Sequence, residues 1–269
     1  MAAAHTADVA GVRIAYYVRG RGAPVLFIMG LGGRAGDWNE RFLDRVAERF
    51  EVISFDNRGT GRSDAPDGEY TLEQMANEAV AVLDAVGRWR AHVVGISMGG
   101  MIAQLVALRH AARVDRLVLI ATHAGGRDVV APTPAAMAVL RVDRSRPRAE
   151  FVRDAMATIA APDFAARNPT ALEELTALAL AQPTPESVFA RQLGAILASD
   201  RSARVAGITA PTLVVHGSDD PLVPFLNGVA LARAIPDAQL VTLHGCGHLP
   251  MWECPGRFAE VLENFLATD

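Results

Sequence analysis

The chain has only two cysteines in 269 residues, Cys246 and Cys254, and no further Cys or His pair completes metal-ligand spacing around them. Two thiols make no disulfide framework and no zinc site, so ordinary thiols and no bound metal are expected. No apolar run approaches the roughly 18 residues of a membrane span. Residues 1–8 have neither the basic start nor the apolar core of a secretory leader, which predicts a soluble, cytoplasmic protein. An excess of positive charge is also missing. Lys and Arg number 26 against 30 Asp and Glu, a net charge of -4, so no overall basic field argues for nucleic acid or an anionic membrane surface. The partner these absences leave is a small molecule, uncharged or weakly charged.

What is present is the composition of a packed globular chain, 51% hydrophobic and 21% charged, long enough for one large domain or one domain carrying an insertion. Short apolar, β-branched runs alternate with longer helical patterns, the signature of a mainly parallel α/β sheet with helices on both faces. The runs predict strands at 12–18, 25–28, 52–55, 93–96, 117–120, 213–216 and 240–243. Helices are predicted at 37–48, 72–86, 101–110, 227–234 and 257–267. The rhythm stops at about residue 124 and resumes after 206. Between them lie alanine-rich helical patterns broken by prolines, with no convincing strand and with enough apolar residues (Phe151, Ile159, Leu172, Phe189) to exclude a disordered linker. Residues 1–123 and 207–269 are therefore expected to form the core, and 124–206 a helical lid. Arg141, Arg144, Arg146, Arg148 and Arg153 cluster in that insertion. They are read either as an attractor for a substrate carboxylate or, preferably, as a solvated surface.

The chemistry concentrates in three loops. Gly95-Ile96-Ser97-Met98-Gly99 is a G-x-S-x-G pattern between an apolar strand and a helix. A serine on so sharp a strand-to-helix turn is held in strained backbone geometry, and small residues two positions either side let strand and helix approach. Ser97 would stand exposed at the edge of the sheet, with the N–H of Met98 aimed at the site from the helix N-terminus. A serine hydroxyl needs a base, and the base needs an orienting acid. His248, in Gly245-Cys246-Gly247-His248-Leu249 past the last strand, has flanking glycines that free its ring. His216 and His244 read as packed or capping residues, and His5, His92, His110 and His123 have no comparable setting. For the acid, Ser218-Asp219-Asp220-Pro221 offers two carboxylates just after a strand. Asp220, before a proline, fits better, with Asp219 as its solvated neighbour.

A competing signal is Gly30-Leu31-Gly32-Gly33-Arg34-Ala35, a G-x-G-x-x-A after a strand, with Asp56 at the end of the next strand where a ribose-binding acid stands in dinucleotide folds. The fingerprint alone is weak, and that reading leaves Ser97, Asp220 and His248 unexplained.

The order Ser97, Asp220, His248, together with the elbow, the Gly217-Ser218-Asp219-Asp220-Pro221 loop, the histidine segment and the Asp56-to-Asp64 loop, resembles the α/β-hydrolase superfamily over nearly the whole chain. Its serine-nucleophile carboxylesterases and enol-lactone hydrolases are the nearest group. The resemblance implies the α/β-hydrolase fold with an inserted helical cap and no cofactor. It also implies a second oxyanion donor at the N–H of Leu31, beside that of Met98. Dehalogenases and epoxide hydrolases of the superfamily carry aspartate at the elbow, so Ser97 disfavours both. Where many members carry His-Gly, this chain has Met29-Gly30, which leaves the backbone donor and changes the lining. The expected substrate is a small hydrophobic ester or lactone held by Met29, Leu222, Val223, Met251 and Trp252, although Met251 and Trp252 would equally fill core. Carbon-carbon bond hydrolases and cofactor-free perhydrolases share the triad, and a small-molecule receptor of this fold is a further alternative. Activity is expected to fall as His248 protonates, near the ordinary histidine pKa of about 6.5 unless its carboxylate raises it.

Overall fold

In the computed structural model, which describes residues 3–141 and 145–267, strand side chains alternate between two cores. Val25 and Phe27 join one hydrophobic cluster, while Leu26 and Ile28 join the other. The strands are β1 (Ala4–Val9), β2 (Val12–Gly20), β3 (Ala23–Ile28), β4 (Phe50–Phe55), β5 (Ala91–Ile96), β6 (Val114–Ile120), β7 (Thr212–Gly217) and β8 (Gln239–Leu243). They form one sheet in the order β1-β2-β4-β3-β5-β6-β7-β8. The pairs β1–β2 and β2–β4 are antiparallel and the other pairs parallel. The C-terminal ends of β3 to β8 therefore all open on one edge of the sheet.

The helices are α1 (Glu40–Ala47), α2 (Leu72–Val86), α3 (Met98–Arg109), α4 (Pro134–Val139), α5 (Arg148–Ile159), α6 (Phe164–Arg167), α7 (Pro169–Ala181), α8 (Glu186–Ala198), α9 (Phe225–Ala234), α10 (Pro250–Glu253) and α11 (Pro255–Leu266). Met75 and Leu83 of α2, Ile102 of α3 and Leu231 of α9 pack into one core. Phe42 of α1 and Phe258 of α11 stack in the other, their ring centroids 4.9 Å apart. Helix α2 has the bounds its sequence predicts because both ends are written locally. Thr71 and Gln74 form a capping box, and Gly87 closes the helix at φ 75°.

Some elements differ from expectation. Strand β1 was not expected: its sequence is polar and mostly exposed, and it pairs only with β2 through a two-residue hairpin at Ala10 and Gly11, both at positive φ. The helix expected over 37–48 breaks at Asn39, whose φ is 64° and whose side chain caps Arg41 and Phe42. A short 3-10 turn, Ala35–Trp38, precedes it.

Helices α4 to α8 all fall between β6 and β7, and the described residues of that segment contain no strand. The exit and return of the insertion are tied by Arg201. It is fully buried and donates to the carbonyl of His123, to Gln104 Oε1 and to the carbonyl of Ser199. Burial pushes the Arg201 pKa down to about 10. No helix among the described residues is long and apolar enough to cross a membrane.

Candidate active site

Ser97 is the single residue between β5 and α3, and its backbone sits at φ 55° and ψ -121°, a region L-residues rarely occupy. The glycines around it are required by space. A Cβ on Gly95 would lie 2.2 Å from the carbonyl oxygen of Gly99, and one on Gly99 would lie 2.0 Å from that of Ile28. Gly30 passes directly behind the serine, where a Cβ would stand 3.2 Å from Ser97 Cβ. Among the described residues, no protein acceptor engages the N–H of Leu31, while the neighbouring N–H of Gly32 is bound to Gln192 Oε1. The N–H of Met98 opens α3 and so has no intrahelical acceptor.

Asp220 and His248 are brought together by the ends of β7 and β8. Asp220 Oδ2 lies 2.8 Å from His248 Nδ1, and both side chains are buried. Asp220 Oδ1 accepts the N–H groups of Leu222 (2.9 Å) and Val223 (2.8 Å), which fixes the carboxylate from behind. With its Nδ1–H donated to Asp220, the imidazole keeps Nε2 as its acceptor. Asp219 is exposed. His216 is a packed residue: its Nε2 donates to the carbonyl of Val223 at 2.7 Å, and burial holds its pKa below the ordinary histidine value. His244 is exposed.

Ser97 and His248 line one cavity of about 220 Å³. Met29, Leu31, Leu222, Met251 and Trp252 also line it, so Trp252 and Met251 face the cavity as well as the core. One of the expected wall residues does not. Val223 is buried beneath the acid, where its N–H serves Asp220 and its carbonyl serves His216. The Met98 side chain points into the core, leaving only its backbone at the site. Much of the remaining wall comes from the insertion, including Val139, Met156, Ile159, Leu175 and Phe189. Sequence reasoning did not find these, because nothing in a helical apolar pattern says which residue turns toward a cavity.

At the polar end of the cavity Arg34 is paired with Asp37 (3.1 Å) and donates to Gln182 Oε1 (2.7 Å) and the carbonyl of Leu178 (2.8 Å). Burial raises the Asp37 pKa, and Arg34 opposes the rise. Arg141, Arg146, Arg148 and Arg153 are exposed and do not line the cavity; Arg144 lies outside the described residues. Asp56 is engaged by protein, accepting from Ala35 N–H, Arg62 N–H and the Tyr17 hydroxyl. Its carboxylate tethers the glycine loop, where a dinucleotide site would turn it toward a ribose. The expectation of free thiols is corrected: Cys246 and Cys254 form a disulfide, with Cα atoms 6.7 Å apart. The short helix α10 folds the chain back so that the two residues meet, a turn that the spacing alone does not reveal.

A family model described as the alpha/beta hydrolase fold matches residues 23–255. RutD of Azorhizobium caulinodans, provisionally named a carbamate hydrolase, is 32% identical over 250 residues, covering 93% of each chain. The 2-hydroxymuconate semialdehyde hydrolase of Pseudomonas putida is 32% identical over 272 residues, covering 96% of this chain and 92% of its own. The solved enol-lactonase of Burkholderia xenovorans is 27% identical and matches with a TM-score of 0.85, covering 98% of this chain and all of that one. With its mainly parallel sheet, its serine turn and this breadth of similarity, the chain belongs to the α/β-hydrolase family.

Proposed function

We propose that this hydrolase cleaves a small, hydrophobic carboxylic ester or lactone through an acyl-enzyme, with Ser97 as nucleophile, His248 as base and Asp220 as the acid that orients it. The observation that carries the reading is the 2.8 Å contact of Asp220 with His248 Nδ1, in a cavity that Ser97 also lines. Ser97 Oγ attacks the carbonyl carbon while its proton passes to His248 Nε2. The resulting alkoxide is held by the N–H groups of Leu31 and Met98, each worth about 3 kcal/mol of barrier in comparable sites. Collapse breaks the bond to the alcohol oxygen, which leaves with the proton from Nε2. Water then attacks the acyl carbon, giving its proton to Nε2, and that proton returns to Ser97 Oγ as the acid departs. In a lactone the alcohol stays tethered to the released acid.

The insertion, 124–206, acts as the cap that closes the cavity and sets the acyl portion admitted. The scheme uses no cofactor and no metal, and its partner is a small molecule, with neither nucleic acid nor membrane, in the cytoplasm. The apolar wall supports a hydrophobic substrate, and likeness to an enol-lactonase supports an ester or lactone bond. Carbon-carbon bond hydrolysis is the second reading, favoured by the relative named for 2-hydroxymuconate semialdehyde. Carbamate cleavage is a third, favoured by RutD. A panel of p-nitrophenyl esters, lactones, carbamates and a ring-cleavage dienone, run on wild type and Ser97→Ala, separates them. Steady ester or lactone turnover lost in Ser97→Ala is the expected result. Turnover confined to the dienone or the carbamate, or single-turnover labelling alone, overturns the ester reading.

A further inference from the structure

The loop that carries His248 is fixed by more than Asp220. The backbone N–H of His248 donates to the carbonyl of Ile159, at the end of α5 (3.0 Å). The N–H groups on either side, Gly247 and Leu249, donate to the two oxygens of a single carboxylate, Glu253, at 2.8 and 2.9 Å. Glu253 Oε2 also accepts the N–H of Ala161 from the insertion at 2.8 Å. The two backbones are pressed together there: a Cβ on Gly247 would lie 2.3 Å from the nitrogen of Ala161 and 2.5 Å from the carbonyl carbon of Ala160. One carboxylate thus ties the histidine loop on both sides of the ring and the insertion above it.

We infer that Glu253 is a positioning residue of this site, coupling the placement of the insertion to the placement of the His248 ring and favouring the imidazolium that forms in each proton transfer. The inference rests on reading His248 as the base. A carboxylate suits the place because all three donors face an acceptor. A carboxamide has one oxygen, and its NH2 would confront either Leu249 or the Ala161–Gly247 pair with a donor. Charge-assisted bonds are also shorter and more directional than neutral ones. Burial raises the Glu253 pKa, while the three N–H groups and the nearby His248 oppose that rise. The charged and titratable groups around the ring are Asp220 and His216 from the β7 end, Glu253 from α10, and Arg34 with Asp37 lining the same cavity. The insertion residues that touch the loop, Ile159, Ala160 and Ala161, add none.

The test compares wild type with Glu253→Gln and with Glu260→Gln, which removes the same charge from the exposed surface of α11. Two readouts are taken: the pH profile of kcat/KM on an ester the wild type turns over, and the NMR titration of the His248 ring, which requires no turnover. Glu253→Gln is expected to lose roughly tenfold to hundredfold in kcat with KM little changed. Its acid limb and ring midpoint both move to lower pH, while Glu260→Gln matches wild type. A loss of activity with the ring midpoint unmoved makes Glu253 a merely structural clamp and overturns the inference, as does unchanged kcat. Should the carboxamide prevent folding, Glu253→Asp keeps the charge with shorter reach. It must hold the acid limb in place while kcat falls, and wild-type kcat overturns the inference. A wild type without ester turnover defeats the ester reading and leaves the NMR titration to decide on Glu253.

Discussion

At the scale of single residues, the site depends on groups whose position is fixed by backbone donors. Asp220 spends one oxygen on Leu222 and Val223 and so has one oxygen left for His248. Asp220→Asn presents an amide to Nδ1 and favours the wrong imidazole tautomer. The expected cost is about 10⁴ in kcat with little change in KM. Asp219→Asn, at an exposed position, is expected to retain wild-type activity, and steady-state kinetics on both variants checks the assignment. Equal losses in the two would contradict it. That Asp220 rather than Asp219 meets His248 was legible because a proline follows it. Glu253 and Gln192 were not legible as links between insertion and core, because the backbone N–H groups that make those links, Ala161 and Gly32, lie 92 and 160 residues away in sequence. Nothing local marks a glutamate or glutamine for such a role.

At the scale of elements, the glycine loop after β3 is held by what lies on either side of it. Asn57 Nδ2 donates to the carbonyl of Met29, and Asp56 accepts the N–H of Ala35. From the insertion, Gln192 of α8 accepts the N–H of Gly32 at 2.8 Å and donates to the carbonyl of Arg58 at 3.0 Å. Gln192 is fully buried. Gln192→Leu leaves the buried carbonyl of Arg58 and the part-buried N–H of Gly32 without partners, so a stability loss of about 1–3 kcal/mol is expected. Urea denaturation measures it, and an unchanged midpoint would show that the clamp contributes nothing. The turn from β5 into α3 and the bounds of α2 were readable because glycines and a capping box write them locally. Strand β1 was not readable, because an exposed edge strand needs no apolar face.

At the scale of the whole molecule, two cores sandwich the sheet and bury several histidines. Burial lowers the pKa of His92, His216 and His123, the last to about 4. A histidine with a folded pKa below its unfolded value near 6.5 binds fewer protons when folded. Its contribution is complete above about pH 6.5 and is lost as pH falls toward 4, up to about 3 kcal/mol for His123. Asp37 and Glu78, whose pKa values burial raises, act in the opposite direction and reduce the net slope. His123→Asn keeps an acceptor for the N–H of Gly125, which His123 Nδ1 binds at 3.0 Å, and removes the titration. Its stability is expected to fall less than that of wild type between pH 6.5 and 4, read as urea midpoints. An equal fall in both proteins would contradict the assignment. The fold class was legible at this scale from the alternation of strands and helices. The cavity was only half legible, since the insertion supplies much of its wall through packing that no motif encodes.

The central claim is that Ser97 is the nucleophile, and covalent labelling tests it most directly. Incubation with a fluorophosphonate followed by peptide mass analysis is expected to give one adduct, on the peptide bearing Ser97. That adduct should be absent in Ser97→Ala and formed far more slowly in His248→Ala. An adduct on another residue, or one that persists in Ser97→Ala, would contradict the account.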